Sequence, residues 1–147
     1  MSGKSTGIDD VTDIKWRAIE AFNHLGANAR DKFAWSAQSD DRSITVLTLW
    51  CDEIDDDGVN VEVDHFGSPT LDEWTHSRRN KARIRHLKDV WASEDRTFRV
   101  VMVKVADGKE KVVPRRAVAR WPDERLTMTL TYFCENTGEL RATGKRT

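Results

Sequence analysis

Short apolar runs with strand-like patterns recur along this chain. SITVLTLWC (43–51) and TFRVVMVKVA (97–106) are rich in β-branched residues, which is typical of strands that are largely buried. VNVEVD (59–64) alternates apolar and polar residues, so it predicts a short strand with one face in water. LTMTLTYFC (126–134) is followed by ENTG and then ELRAT, and Gly138 suits the left-handed position of a hairpin loop. These runs predict a β-sheet at the centre of the fold.

Two other segments have the apolar spacing of amphipathic helices. From about Val11 to Leu25, apolar residues recur every three or four positions, and Gly26 can end the helix. A second helix is predicted from Asn80 to about Ser93. The residues predicted to face the core from this second helix are Ile84, Leu87 and Trp91.

The order of these elements predicts an α+β fold with a curled, mostly antiparallel sheet and two main helices. FAWSAQ (33–38) and the following SITVLTLWC run flank SDDR and predict one hairpin. The acidic segment DEIDDDG (52–58) is interpreted as a turn, and FGSPTLDEWTH (66–76) as a loop with one helical turn. Pro114 interrupts an extended segment between the strongest strand and the last hairpin.

Length and composition indicate one soluble domain. The 147 residues can bury a core of their own. Residues 1–8 are nearly all small or polar and are predicted to form a disordered tail, which leaves 9–147 as a single α+β domain. With no signal peptide and no apolar run of about 18 residues, we expect a cytoplasmic protein without membrane contact.

Cys51 and Cys134 each end an apolar run, which favours buried free thiols over a disulfide or redox pair.

Charge is distributed unevenly along the chain, although the net charge is only -1. Residues 40–73 contain eleven acids and the single base Arg42, whereas residues 74–125 contain fifteen bases and seven acids. Within the second segment, SRRNKARIRHLK (77–88) has six Lys or Arg and no acid. The sequence is therefore an electrostatic dipole along its length.

The basic cluster suits contacts with phosphates, which add roughly equal and salt-sensitive contributions to binding. Lys81, Arg85 and Lys88 lie together on one wet face of the predicted helix, and Arg78 and Arg79 precede it. Two alternatives remain open for the same residues. The cluster can pair with the acidic 52–57 turn of the same fold, or it can bind another anionic ligand.

Tryptophan side chains provide stacking surfaces for unpaired or flipped bases. Among the six tryptophans, Trp35 and Trp74 lie at a strand end and in a loop, and we predict that they stack on a base. Ser36, next to Trp35, completes this candidate site. Packing in the core is the alternative for each of these aromatic residues.

Known catalytic and metal-binding patterns do not fit the sequence. Met102 occupies the position where a PD-(D/E)xK nuclease would carry an acid before Lys104, and DEIDDDGVNVEV lacks the final glutamate of an EF-hand. The four histidines have no HExxH spacing, and GxSxG is absent. His65, after Asp64, is the one acid–base candidate. We therefore predict no metal or other cofactor and favour a protein that is not an enzyme.

Four stretches resemble a family of small bacterial proteins of unknown function: WSAQSDDRSITVLTLWCDEID, RIRHLKDVW, FRVVMVKV and LTMTLTYFCENTGELRA. This resemblance covers about residues 18–142. The predicted architecture is also similar to the PUA-like superfamily of EVE, ASCH, YTH and SRA domains. That similarity implies a PUA-like barrel and the reading of modified or flipped bases, but no family site can be transferred residue by residue.

These observations favour a non-catalytic nucleic-acid-binding domain that reads a modified or unstacked base, with DNA or RNA as its partner. Five basic residues are predicted to hold phosphates: Arg78, Arg79, Lys81, Arg85 and Lys88. Two other functions remain open. The first is a protein-interaction or inhibitor module that uses the acidic 52–57 turn, and the second is an enzyme that uses the acids around 52–65 with His65.

Overall fold

The computed structural model describes residues 16–67, 71–105 and 117–147. Its helices are α1 (Ala18–His24), α2 (Leu71–Trp74) and α3 (Arg78–Ala92). Its strands are β1 (Ser36–Gln38), β2 (Thr45–Trp50), β3 (Ile54–Asp56), β4 (Asn60–Asp64), β5 (Thr97–Val105), β6 (Ala117–Pro122), β7 (Leu126–Phe133) and β8 (Leu140–Arg146). A short 3-10 helix, Cys51–Glu53, joins β2 to β3.

The strands form one sheet of eight, in the order β1-β2-β5-β7-β8-β4-β3, with β6 also paired to β5. Among the described strands, only β2 and β5 run parallel to each other. The first part of β5 pairs with β7 and its last part with β6, and the pairing of β7 with β8 shifts register between Leu130 and Tyr132. Such changes of partner and register bend a sheet. The predicted α+β fold with a curled, mostly antiparallel sheet is confirmed. However, β1 and β3 end the described sheet, so it is open and not a closed barrel.

The part of the sheet around β2 and β5 has a core on each face, since successive residues of a strand point to opposite sides. Leu47 of β2 and Val100 of β5 share a core with Leu87 of α3. Val46 and Val101 belong to the opposite face and a second core. On the α1 side, that second core contains Ala21, Phe22 and Leu25.

Most predicted boundaries agree with the structure. α1 ends where Gly26 adopts a φ of 95°, as expected, and Gly138 has a φ of 84° in the β7–β8 loop. α3 begins at Arg78, two residues before the predicted start, because the Ser77 hydroxyl caps it by accepting from the Asn80 N–H at 3.1 Å. The predicted tail 1–8, the start of the first helix and Pro114 lie outside the described residues.

Two sequence interpretations differ from the structure. The acidic segment 52–58 contains strand β3, whose residues pair with β4 from Ile54↔Val63 to Asp56↔Val61. Both cysteines are free, as expected, but each is partly exposed and not buried. In the described ranges, no helix is long and apolar enough to cross a membrane.

Candidate nucleic-acid interface

Four basic side chains form a line along the outer face of α3, and we call this line the basic stripe: Arg78, Lys81, Arg85 and Lys88. All four are exposed. Their spacing of three, four and three residues places them within about 80° around the helix axis and over about 15 Å of its length. The opposite side of the helix is buried, and its innermost residues are Asn80, Arg83, Leu87 and Val90. The stripe includes the three helical residues for which the sequence predicted one wet face.

The stripe is not neutralised by the acidic segment. Among the described residues, no ion pair joins a stripe cation to a carboxylate. Asp56 pairs instead with Arg146 of β8, through contacts of 2.6 and 2.8 Å. Asp57 accepts the backbone N–H groups of Val59 and Asn60 and closes its own turn. The positive charge of the stripe therefore faces solvent.

The acidic side chains of β4 point to the other side of the sheet. Val61 and Val63 of β4 share the core with α3, so the alternating residues Glu62 and Asp64 point away from it. This reverse face has an open cleft of about 930 Å³. Its lining includes Asp55, Glu62, Thr129, Thr143 and Lys145. Part of the acidic segment therefore lies on the face of the sheet opposite the stripe.

Phe33 is an exposed aromatic residue that the sequence analysis did not assign to the site. It is 56% exposed. The Arg79 guanidinium lies 5.0 Å from its ring centroid, and the Lys32 ammonium lies 5.2 Å from it. An exposed ring beside two cations suits stacking and phosphate contact together. Its position directly after the charged residues Arg30, Asp31 and Lys32 is the signal that could have identified it.

Trp35 and Ser36 lie closer to the protein interior than the sequence analysis proposed. Trp35 is half-buried, and its carbonyl accepts from the Thr48 N–H at 3.0 Å. Ser36 is 5% exposed and bonds through its hydroxyl to Nδ1 of His86 on α3 at 2.6 Å. As the first residue of β1, Ser36 points towards the helix. It therefore holds α3 against the sheet and is not part of the exposed stripe.

Arg83 is the one cation of the 78–88 segment that points inward. It is 5% exposed. Its Nη1 donates to Oδ1 of Asn80 at 3.0 Å and to the Gly138 carbonyl at 2.7 Å. Asn80 in turn donates to the carbonyls of Thr75 and Thr137. This network ties the start of α3 to the β7–β8 loop, so Arg83 has a structural role.

Trp74 covers this network from the side of α2. The Arg83 guanidinium lies 5.8 Å from the Trp74 ring centroid, and the His65 ring meets Trp74 edge to face at 6.4 Å. Nη2 of Arg83 lies 3.0 Å from Nδ1 of His65. Because Arg83 can only donate, Nδ1 accepts and the imidazole proton resides on Nε2, which is 3.8 Å from a Glu53 oxygen. Trp74 is half-buried in these contacts.

Burial and the charge of Arg83 lower the pKa of His65 from 6.5 to about 3. Between these values the unfolded chain binds a proton that the folded protein does not, so the free energy of unfolding falls as pH falls. We expect a loss of about 2 kcal/mol between about pH 6.5 and 4.5. His65→Gln, which cannot titrate, should show a smaller loss when urea unfolding is measured across this range.

Wild type and His65→Gln must be compared because a second histidine, His86, also has a lowered pKa. Burial is the main cause of that shift, and the positive charge of Arg85 is the second. His86 contributes a dependence of the same sign to both proteins, so only their difference reports on His65. Equal pH dependence in wild type and His65→Gln would contradict this protonation state.

Acidic side chains do not assemble a metal centre here. The described residues contain no group of three or more His, Cys, Asp or Glu that could hold a metal ion.

In comparisons with known proteins, no protein-family model, curated protein or solved structure matches the chain. The resemblances to a bacterial family and to PUA-like domains therefore stay predictions.

Proposed function

We propose that this protein is a nucleic-acid-binding domain that contacts the phosphate backbone through the basic stripe of α3. The observation that carries the proposal is the line of four exposed cations without carboxylate partners among the described residues. Arg79, held against Phe33, extends the positive surface along the first turn of the helix. The proposal makes DNA or RNA the partner and the cytoplasm the location.

The length of the stripe matches a polyanion better than a small anion. A distance of about 15 Å corresponds to about four phosphates of one strand at the stacked spacing. Four such contacts on a single strand predict that log K falls with log salt concentration with a slope of about −3. A small anion would instead need cations that converge on one point, and the stripe is linear.

The position of Phe33 supports an extension of this proposal to an unstacked base. Its ring is exposed next to Arg79, so a base displaced from its stack can lie on it while its phosphate contacts the guanidinium. Oligonucleotides with and without modified bases test whether such a base must be modified.

A second candidate function is a protein-interaction module. It is favoured by the open cleft on the reverse face, about 930 Å³ in volume, which brings Asp55 and Glu62 together. A basic protein partner would fit this surface.

Arg85→Glu is expected to weaken binding of a labelled 20-nucleotide single strand by about 10-fold at low salt. The reason is that it removes one phosphate contact and adds a repulsive charge at the middle of the stripe. Fluorescence anisotropy at two salt concentrations measures both the affinity and its salt dependence, which should become less steep.

Lys145→Glu is the matched control, because it changes the net charge equally but lies in the cleft on the reverse face. It should change the affinity by less than about 2-fold if position matters more than net charge. Equal losses in the two variants, or no loss in Arg85→Glu, would contradict the proposed function.

A further inference from the structure

A second group of aromatic and basic side chains lies at the C-terminal end of α3, and we call it the aromatic row: Arg141, Phe66, Tyr132, Trp91 and Arg96. Phe66 and Tyr132 stack with ring centroids 5.5 Å apart and an angle of 29°. Tyr132 meets Trp91 edge to face at 6.5 Å. Three rings from three different parts of the chain therefore form a continuous series of contacts.

A guanidinium group closes each end of the row. Arg141 lies 4.7 Å from the centroid of Phe66, and Arg96 lies 3.8 Å from that of Trp91. Arg141 also pairs with Asp64 at 3.2 Å. Arg96 has no carboxylate partner among the described residues.

The backbone of Arg96 is held in a strained conformation. Its φ of 56° lies in the left-handed region, which is unfavourable for a residue with a side chain. The Ser93 hydroxyl accepts from its N–H at 3.2 Å, and its Nε donates to the Trp91 carbonyl at 3.0 Å. These bonds hold the guanidinium over the Trp91 ring.

The aromatic row is at the surface although it is anchored in the core. Tyr132 is 50% exposed, and Phe66 and Trp91 are partly exposed. Trp91 contacts the buried Phe133 with ring centroids 6.0 Å apart, which fixes its position. Exposed aromatic rings next to arginine are typical of binding surfaces.

The row continues from the end of the basic stripe. Trp91 follows Lys88 by three residues on α3, which corresponds to a rise of about 4.5 Å. A ligand lying along the stripe would therefore meet Trp91 after its last phosphate contact. Tyr132, which meets Trp91 edge to face and is the cross-strand neighbour of Arg141, would come next. Binding of phosphates requires no aromatic side chain, whereas unpaired bases stack their π-faces on aromatic rings.

We infer that the ligand is a single-stranded nucleic acid, with phosphates on the basic stripe and bases stacked on the aromatic row, chiefly on Tyr132. This inference rests on the proposed function and names its substrate class. A duplex keeps its bases stacked on one another, so it can use the stripe but not the row. Selection of single strands over duplexes follows from this difference.

The test compares three ligands of equal length: a single-stranded oligonucleotide, a duplex, and an abasic strand that has phosphates but no bases. Wild type should bind the single strand most tightly. Tyr132→Leu keeps an apolar side chain but removes the ring. It should weaken single-strand binding by about 10-fold and leave the affinities for the duplex and the abasic strand within about 2-fold.

Phe33→Leu is the comparison variant, because it removes the other exposed ring on which a base is proposed to lie, at the opposite end of the stripe. It should affect single-strand binding less than Tyr132→Leu does. The inference is overturned if Tyr132→Leu leaves single-strand affinity unchanged, or if Phe33→Leu accounts for the loss instead. It is also overturned if an acidic protein, and not the oligonucleotide, binds in a way that depends on Tyr132.

The two proposals fail in distinguishable ways. If Arg85→Glu weakens binding of every ligand but Tyr132→Leu weakens none, the phosphate interface stands and the aromatic row is not the base site. If Arg85→Glu leaves all affinities unchanged, the proposed function itself fails. Circular dichroism of each variant tests whether a loss of binding comes from unfolding.

Discussion

Arg83→Ala is expected to lower the free energy of unfolding by about 3–5 kcal/mol. The guanidinium is the partner of three groups: the Asn80 side chain, which is fully buried, the Gly138 carbonyl and Nδ1 of His65. Removing it leaves these groups without a donor in a site that water does not readily reach, and it opens a cavity beneath Trp74. Urea unfolding with an unchanged m-value measures the loss.

Arg85→Ala provides the matched control within the same helix, since it removes an identical charge and side chain. Arg85 is exposed and makes no ion pair with a described residue, so its loss should change stability by less than about 0.5 kcal/mol. The two variants are also expected to differ in binding, where Arg85→Ala has the larger effect. Similar stability in both variants would mean that Arg83 does not hold the β7–β8 loop to the helix.

Arg146→Ala is expected to lower the free energy of unfolding by about 2–4 kcal/mol. Arg146 bonds to both oxygens of Asp56, and it also contacts Asp123 at 2.8 and 3.0 Å. Asp123 is 8% exposed, so without Arg146 its negative charge is buried and unpaired. The arginine joins β3, the last strand and the β6–β7 turn, and its loss should loosen this edge of the sheet.

The dependence of this effect on pH provides a second readout. The hydrogen bonds from Arg146 are the main cause that lowers the pKa of Asp56 below 3.8. A carboxylate with a lowered pKa stabilises the fold above its unfolded pKa, and this contribution disappears as pH falls through the folded value. The difference between wild type and Arg146→Ala should therefore be full near neutral pH and shrink below about pH 4.

Lys145→Ala, at the neighbouring exposed position, should change stability by less than about 0.5 kcal/mol and is the control. A loss of less than about 1 kcal/mol in Arg146→Ala would show that the contacts to Asp56 and Asp123 contribute little. A loss that did not change with pH would assign the effect to packing of the arginine stem and not to its charge.

Local patterns were enough to predict most elements of the fold. Alternation of apolar and polar residues predicted β4 and β7, and runs of β-branched residues predicted β2 and β5, because these patterns depend only on which side successive side chains point to. β3 was missed because its acidic residues have little strand propensity. It forms because β4 offers an edge with which Ile54 and Asp56 can pair.

The sequence by itself determined the position of α3 in the chain and its basic character. It also determined that Lys81, Arg85 and Lys88 lie on one face of that helix. Only the tertiary structure decided that Arg83 is buried while Arg85 is exposed, since both are arginines on the same short segment. The apolar spacing of Ile84, Leu87 and Trp91 predicted a core face slightly rotated from the observed one. The observed face includes Arg83 because the Gly138 carbonyl of the β7–β8 loop, 55 residues away in sequence, needs a donor there once the loop is placed against the helix. A periodic pattern contains no information about such a partner, because it records side-chain direction and not which distant backbone group arrives beside it.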